Sequence, residues 1–102
     1  MKSHVVIFRA RHAAAASDPA YLETALTLRD KALAEYGCLE FVYATTPDGE
    51  EVALSYWPDE AAILRWKQDL EHRVAQQDGY AKWYSEFRIQ VGQIERDYGH
   101  KS

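Results

Sequence analysis

The sequence has one cysteine, little charge imbalance and no long apolar run. Because Cys38 is alone, no disulfide can form within the chain and no second thiol can share a metal ion. Like charges form no run, and a net charge of −4 offers no basic track for a nucleic acid. No stretch approaches the ~20 apolar residues of a membrane span, and the apolar start is too short for a signal peptide. We therefore expect a soluble, cytoplasmic protein.

Motifs of several large enzyme classes are also missing. The chain contains no P-loop, no GxGxxG and no GxSxG, which argues against nucleotide binding of those types and against a serine hydrolase. His4, His12 and His100 lie in different regions without the spacing of metal ligands. The sequence therefore predicts no metal site.

Aromatic side chains are what the sequence has in quantity. Phe, Trp and Tyr make up 13% of the 102 residues, and 47% of all residues are apolar. This content suits a single domain, over residues 1–102, with an aromatic core or with rings that line a pocket or a subunit interface.

Four strands and two helical regions are predicted from periodicity. Runs of apolar, β-branched and aromatic residues, several of them alternating with polar ones, place strands at His4–Arg11, Leu39–Thr46, Glu51–Trp57 and Arg88–Asp97. A phase slip in the last strand suggests a bulge at Gly92. The turn TPDGEE joins the second and third strands into a hairpin.

The helical regions are delimited by capping signals. The first helix is predicted to start after Asp18, with Pro19 at its first position and Gly37 just beyond its end. The second region is predicted in two pieces, the first capped by Asp59 and the second running from about residue 70 to residue 87.

The order β-α-β-β-α-β predicts a ferredoxin-like split βαβ fold of the α+β class. In that fold a four-stranded antiparallel sheet carries its helices on one face, and the other face should be polar. Here both faces are apolar, since residues such as Val5, Ile7 and Leu54 alternate with Val6, Phe8 and Ala53. We expect a second copy of the sheet to cover the second face, which gives a homodimer.

The segments VVIFRAR, GCLEFVYA and VALSYW, followed by the ordered set W, EHR, WY and IER, carry a family resemblance over nearly the whole chain. With them the sequence resembles the antibiotic biosynthesis monooxygenase (ABM) superfamily of dimeric α+β barrels. The resemblance implies a pocket between sheet and helices. It also implies, for some members, oxidation of aromatic substrates without metal or flavin, so no cofactor is expected. Other members bind and degrade haem.

Haem breakdown is disfavoured by the residues present. The haem-degrading relatives typically have an asparagine on strand one, a tryptophan on the helix after strand three, and a histidine about ten residues further on. Trp66 matches the tryptophan, but the other two positions hold Phe8 and Gln76. Glutamine cannot ligate iron as an imidazole does.

Four residues are candidates for a site, each with a structural alternative. His72 is the candidate catalytic acid or base, since histidine titrates near neutral pH; the alternative is a solvent-facing or helix-start histidine. Trp66 and Tyr84 are candidate walls of a substrate pocket, and both would also pack between helix and sheet. Arg9 could orient an anion, or form an ion pair between subunits or at a strand end. Trp57 is expected to plug the barrel or the interface.

Two functions follow as hypotheses. The first is a cofactor-independent monooxygenase-like enzyme that acts on a small aromatic or quinol-type substrate. The second is a non-catalytic dimeric domain that binds a small apolar ligand or is associated with stress. A haem-binding variant ranks third.

Overall fold

Four antiparallel strands and two helices are described by a computed structural model, which covers residues 3–12, 19–76 and 84–101. In chain order the elements are β1 (His4–His12), α1 (Pro19–Glu35), β2 (Glu40–Thr45), β3 (Glu50–Trp57), α2 (Glu60–Gln76) and β4 (Tyr84–Gln93). The strands lie in the order β2-β3-β1-β4. This arrangement confirms the predicted ferredoxin-like α+β fold.

Several predicted capping and turn residues are confirmed. Helix α1 begins at Pro19, and Gly37 beyond its end has a φ of 78°. Gly49, in the β2–β3 turn, has a φ of 88°, a conformation that side chains with a Cβ rarely adopt. The Asp59 carboxylate accepts a hydrogen bond of 2.8 Å from the Ala62 backbone N–H, which caps α2.

The second helical region differs from the prediction. Helix α2 runs unbroken from Glu60 to Gln76, and Tyr84 begins a strand, so the predicted helix through residue 87 is wrong at its end. The cause is a register shift between β1 and β4: Arg11 lies opposite Glu86, whereas His12 lies opposite Tyr84. One extra residue in β4 puts Tyr84 and Phe87 on the same side at a spacing of three, which imitates helical periodicity.

The predicted bulge at Gly92 is also wrong. Gly92 pairs in register with Val5, and Gln93 pairs with His4, so the pairing is regular at that end of the strand. Regular pairing ends with β4 at Gln93, four residues before the predicted end at Asp97. One further backbone bond, from Ile94 N–H to the Ser3 carbonyl, continues the contact.

The core lies between the sheet and the helices. Along β3 the buried residues alternate with half-buried ones, and the buried set is Glu51, Ala53, Ser55 and Trp57. Trp57 is completely buried within one protomer, where it packs with Val6, Ala62 and Trp66. The expectation that Trp57 plugs the barrel or the interface is therefore wrong, because its place in the alternation directs it toward α2.

Cys38 belongs to the same core. It follows α1, and its backbone N–H bonds to the Ala32 carbonyl at 3.0 Å. Its thiol donates a hydrogen bond of 3.3 Å to the Glu40 carbonyl. Burial raises the pKa of the thiol above its usual 9.0, because loss of water disfavours the thiolate.

The opposite side of the sheet, which we call the open face, is apolar over much of its area. Its apolar members share the non-helix side by register: Val5 and Ile7 on β1, Val42 and Ala44 on β2, and Val52, Leu54 and Tyr56 on β3. Neither helix of the described chain packs on this face, and Val42 is 42% exposed. Both faces are apolar, as the sequence predicts.

The Asp59 cap provides a test of how α2 is held. Asp59→Ala removes the acceptor for the Ala62 N–H and should lower the free energy of unfolding by about 1 kcal/mol. Asp59→Asn keeps an acceptor oxygen, so its free energy of unfolding should fall much less. Chemical denaturation of both variants measures the difference, and equal losses would contradict the capping role.

Candidate functional site

Trp66 is held in the core by ring contacts and one hydrogen bond. Its side chain is 8% exposed, and its ring lies 5.2 Å from that of Trp57 and 6.4 Å from that of Phe41, measured between centroids. Its indole N–H donates to the Leu28 carbonyl of α1 at 3.3 Å. The indole therefore links α2 to α1.

Tyr84 lies in a second group of rings, at the other end of the helix side of the sheet. Its ring centroid is 5.5 Å from that of Phe8 in an edge-to-face arrangement, and Phe87 lies 6.2 Å from both rings. We call these three residues the aromatic patch. Phe87 is 42% exposed, so the patch is partly open.

The two ring groups adjoin each other on the helix side of the sheet. Ile89 is opposite Phe8 in the pairing of β1 with β4, and it packs against the core cluster that contains Trp66. The structure thus places Trp66 and Tyr84 on the same side of the sheet, in adjoining groups. Sequence reasoning did not propose Phe8 or Phe87 for the site, because the predicted helix through residue 87 separated Phe87 from the strands.

Arg9 lies on the open face, not with Trp66 and Tyr84. Its guanidinium donates two hydrogen bonds to the Glu50 carboxylate, at 2.8 and 3.1 Å. This pairing lowers the pKa of Glu50 and raises that of Arg9, since each charged form stabilises the other. The structure therefore does not bring Arg9 together with the two aromatic candidates.

A neighbouring ion pair joins β1 to the hairpin turn. Arg11 donates to the Asp48 carboxylate at 2.9 Å, and its Nε lies 3.5 Å from Glu86. Asp48 also accepts a hydrogen bond from the Thr46 hydroxyl. That bond, together with Arg11, lowers the pKa of Asp48 from 3.8 to about 2.

His72 is placed by its backbone alone. It lies within the unbroken helix α2, six residues after Trp66, which is about 120° around the helix from the Trp66 direction. Its side chain lies outside the described part of the structure. The assignment of His72 as acid or base stays a prediction. Among the described residues, no three of His, Cys, Asp and Glu are grouped so as to hold a metal ion.

Glu51 is a buried acid that the sequence did not single out. It lies at the helix side of β3 with only 8% of its surface exposed, and it accepts a hydrogen bond of 3.2 Å from the Thr45 hydroxyl on β2. A glutamate next to the turn sequence TPDGE suggests a solvent-facing residue. The burial follows from its alternation with Ala53 and Ser55, so the strand phase is the signal that could have identified it.

The sequence of this chain matches a known family over most of its length. Residues 3–78 fit the family model described as antibiotic biosynthesis monooxygenase. The chain belongs to the antibiotic biosynthesis monooxygenase family. It is 30% identical over 91 residues to a jasmonate monooxygenase of the fungus Pyricularia oryzae. The match takes in 87% of the present chain, which spans 42% of the length of that relative.

Solved structures share the ABM fold of this chain at low sequence identity. A dimeric ferredoxin-like protein from an uncultured marine organism has a TM-score of 0.74 at 6% identity, over 99% of this chain and 95% of that one. An antibiotic biosynthesis monooxygenase has a TM-score of 0.72 at 19% identity, over 91% and 99% respectively. At these identities the likeness concerns the fold alone.

The two described helices of this ABM domain, α1 and α2, have 17 residues each. Within residues 3–12, 19–76 and 84–101, none is long and apolar enough to cross a membrane.

The Asp48 pair makes stability depend on pH at the acid end. A carboxyl whose pKa is lowered on folding stabilises the protein above its unfolded value of 3.8, and this contribution is lost as pH falls toward about 2. In the Asp48→Asn variant the loss of stability between pH 3.8 and about 2 should be absent. In the Arg11→Gln variant this loss should be smaller than in the wild type. Unfolding free energies measured across this range test the assignment. A slope in Asp48→Asn equal to that of the wild type would contradict it.

Proposed function

We propose that this protein is a cofactor-independent monooxygenase that acts on a small hydroxylated aromatic or quinol-type substrate between its sheet and its helices. The observation that carries the proposal is the partly open aromatic patch, which adjoins the Trp66 core in a chain of the ABM family. Flat aromatic rings pack well against aromatic side chains, so this surface suits such a substrate.

Oxidation of such a substrate by O₂ requires a base and a site from which water is excluded. It does not require a redox centre on the protein. Loss of the hydroxyl proton turns a phenol into an electron-rich aryloxide, which can transfer an electron to O₂. Recombination forms a carbon–oxygen bond, and the hydroperoxide then loses water to leave a quinone. One oxygen atom enters the product and the other leaves as water, so the electrons balance without a further reductant. The protein would orient the substrate and exclude water.

Within this proposal three of the predicted site residues have roles. His72 takes the hydroxyl proton, while Trp66 and Tyr84 form walls against which the ring packs. Arg9 is on the open face and engaged by Glu50, so we do not assign it to this pocket. A cytoplasmic location, expected from the sequence, fits this chemistry.

Oxygen uptake tests the proposal. The wild-type protein should consume O₂ with at least one member of a panel of naphthols and naphthohydroquinones, above the rate without protein. Added catalase should return no oxygen, because water and not peroxide is the product. His72→Ala should slow the reaction by about 100-fold or more, as expected for loss of a general base, while His100→Ala, at an exposed position, should not.

Other results of this experiment separate the alternatives. Binding of the naphthols without oxygen uptake would contradict the monooxygenase and favour the non-catalytic ligand-binding domain. A shift of the Soret band on mixing with haemin would favour the haem-binding alternative. Activity that is unchanged in His72→Ala would remove His72 from the mechanism while leaving the oxygenase in place.

We also propose that the protein is a homodimer joined through the open face. An apolar sheet face that neither described helix covers is typical of an interface, and a second copy offers a matching apolar sheet. The dimeric ferredoxin-like protein from the marine organism has the same fold and supports the proposal.

A charge on the open face should separate the dimer. Leu54→Glu puts a carboxylate among apolar side chains, so the variant should sediment as a monomer where the wild type sediments as a dimer. Leu64→Glu is the matched control, because Leu64 on α2 is 56% exposed and away from this face. A wild-type protein that is monomeric at all concentrations would contradict the proposed homodimer.

A further inference from the structure

Three aromatic side chains that can lose one electron lie together in the core between the sheet and the helices. The rings of Trp57 and Trp66 are both buried, with 5.2 Å between their centroids. Tyr36, directly after α1, is partly buried and packs against the same core cluster. Indole and phenol rings are among the side chains that strong one-electron oxidants attack first, and rings packed in one cluster exchange electrons readily. A positive charge left by oxidation can therefore move within this cluster.

The two indoles and the thiol of this cluster donate hydrogen bonds to groups that do not take up a proton. The Trp66 N–H donates to the Leu28 carbonyl at 3.3 Å, and the Trp57 N–H donates to the Ser55 hydroxyl at 2.8 Å. The Cys38 thiol donates to a backbone carbonyl. Because carbonyl and hydroxyl oxygens are very weak bases, an oxidised indole here keeps its proton and its positive charge. In that form it remains a strong oxidant toward a neighbouring ring.

Tyr36 differs from the indoles because its acceptor is a carboxylate. Its hydroxyl donates to the Asp69 carboxylate at 3.1 Å, and the Lys31 ammonium lies 3.3 Å from the same oxygen. Asp69 is three residues after Trp66 on α2, a spacing that makes the two side chains neighbours on the helix. Burial and the carboxylate raise the pKa of Tyr36 above 10.0, so the phenol keeps its proton until the ring is oxidised. An oxidised phenol is a strong acid, and Asp69 is placed to receive its proton.

We propose that Trp57, Trp66 and Tyr36 form an electron-transfer chain that moves oxidising charge out of the core and ends in a neutral tyrosyl radical at Tyr36. An oxygen-centred radical takes one electron from Trp66 and, with a proton from water, becomes a hydroxyl compound. Tyr36 replaces that electron and releases its hydroxyl proton to Asp69, so Trp66 is restored and Tyr36 is oxidised by one electron. A reductant of the thiol or ascorbate class then returns one electron to Tyr36, and Asp69 returns the proton.

The use of the chain by an enzyme that handles O₂ rests on the proposed function. In that reaction a substrate hydroperoxide loses water beside the Trp66 wall. If its O–O bond instead breaks homolytically, an alkoxyl and a hydroxyl radical form, and both are one-electron oxidants of indole. Transfer to Tyr36 moves the oxidising charge from a buried ring to a partly exposed one that a reductant can reach. The chain would thereby protect the two tryptophans of the core.

Pulsed photo-oxidation of tryptophan tests the chain without a substrate. The starting protein is the Trp83→Phe variant, in which Trp57 and Trp66 are the remaining indoles. A light pulse absorbed by indole and not by phenol ionises them in the presence of an electron scavenger. The tryptophan radical should decay as a tyrosyl radical appears, each followed by its visible absorption. The rate should not depend on protein concentration, and it should be lower in D₂O, because a proton moves with the electron.

Three variants distinguish electron transfer from a structural role of the Tyr36–Asp69 bond. In Tyr36→Phe the tyrosyl signal should be lost and the tryptophan radical should persist. Asp69→Asn keeps an acceptor oxygen but removes the base, so the transfer should slow by about 10-fold or more. Tyr98→Phe is the matched control, because Tyr98 is 82% exposed, and the tyrosyl signal should not change. A Tyr36→Phe variant that melts at a lower temperature but keeps the tyrosyl signal would overturn the proposal, as would an Asp69→Asn variant with the wild-type rate.

The wild type alone also decides the matter if the variants do not fold. Tryptophan radicals that decay without forming a tyrosyl radical, or a rate that is equal in H₂O and D₂O, would overturn the proposal. The outcome is separable from that of the monooxygenase, because the light pulse supplies the oxidising event. Transfer to Tyr36 without oxygen uptake in the naphthol assay keeps the chain and removes the enzyme, and oxygen uptake without the transfer does the reverse.

Discussion

The packing of Trp66 on Trp57 is the contact on which the rest of the protomer depends. Trp57 closes β3, and its indole N–H bonds to the Ser55 hydroxyl at 2.8 Å, so the ring is fixed against the sheet. Trp66 then joins that ring to both helices, through its place on α2 and its bond to Leu28 of α1. Because both indole donors have partners inside the core, the burial of two large rings carries little polar cost.

This arrangement separates the two sides of the sheet by role. The helix side holds the Trp66 core at one end and the aromatic patch at the other, with the buried acid of Glu51 in the same surface. The open face holds aliphatic residues and, toward the hairpin, the ion pairs of Arg9 and Arg11. The proposed ligand pocket and the proposed subunit interface would therefore lie on different faces of one sheet.

Much of the fold was predictable because its signals are local. Pro19, Gly37 and Asp59 mark helix boundaries by their own backbone chemistry, and the apolar character of both sheet faces is visible in the alternation of β3. The failure near Tyr84 has a physical cause, since an extra residue in a strand produces a three-residue spacing that periodicity alone assigns to a helix. The aromatic patch depends on that irregular pairing, so no spacing in the sequence could have assembled it.

The reactivity of the Cys38 thiol can report on local opening of the core. The thiol is buried, donates to a backbone carbonyl and has a raised pKa, so the reactive thiolate is scarce while the core is closed. A thiol reagent would therefore modify the protein at the rate at which the region between α1 and β2 loosens, and no other cysteine would contribute to the signal. The single cysteine, which excludes a disulfide within the chain, thus allows the dynamics of the core to be followed without adding a label site.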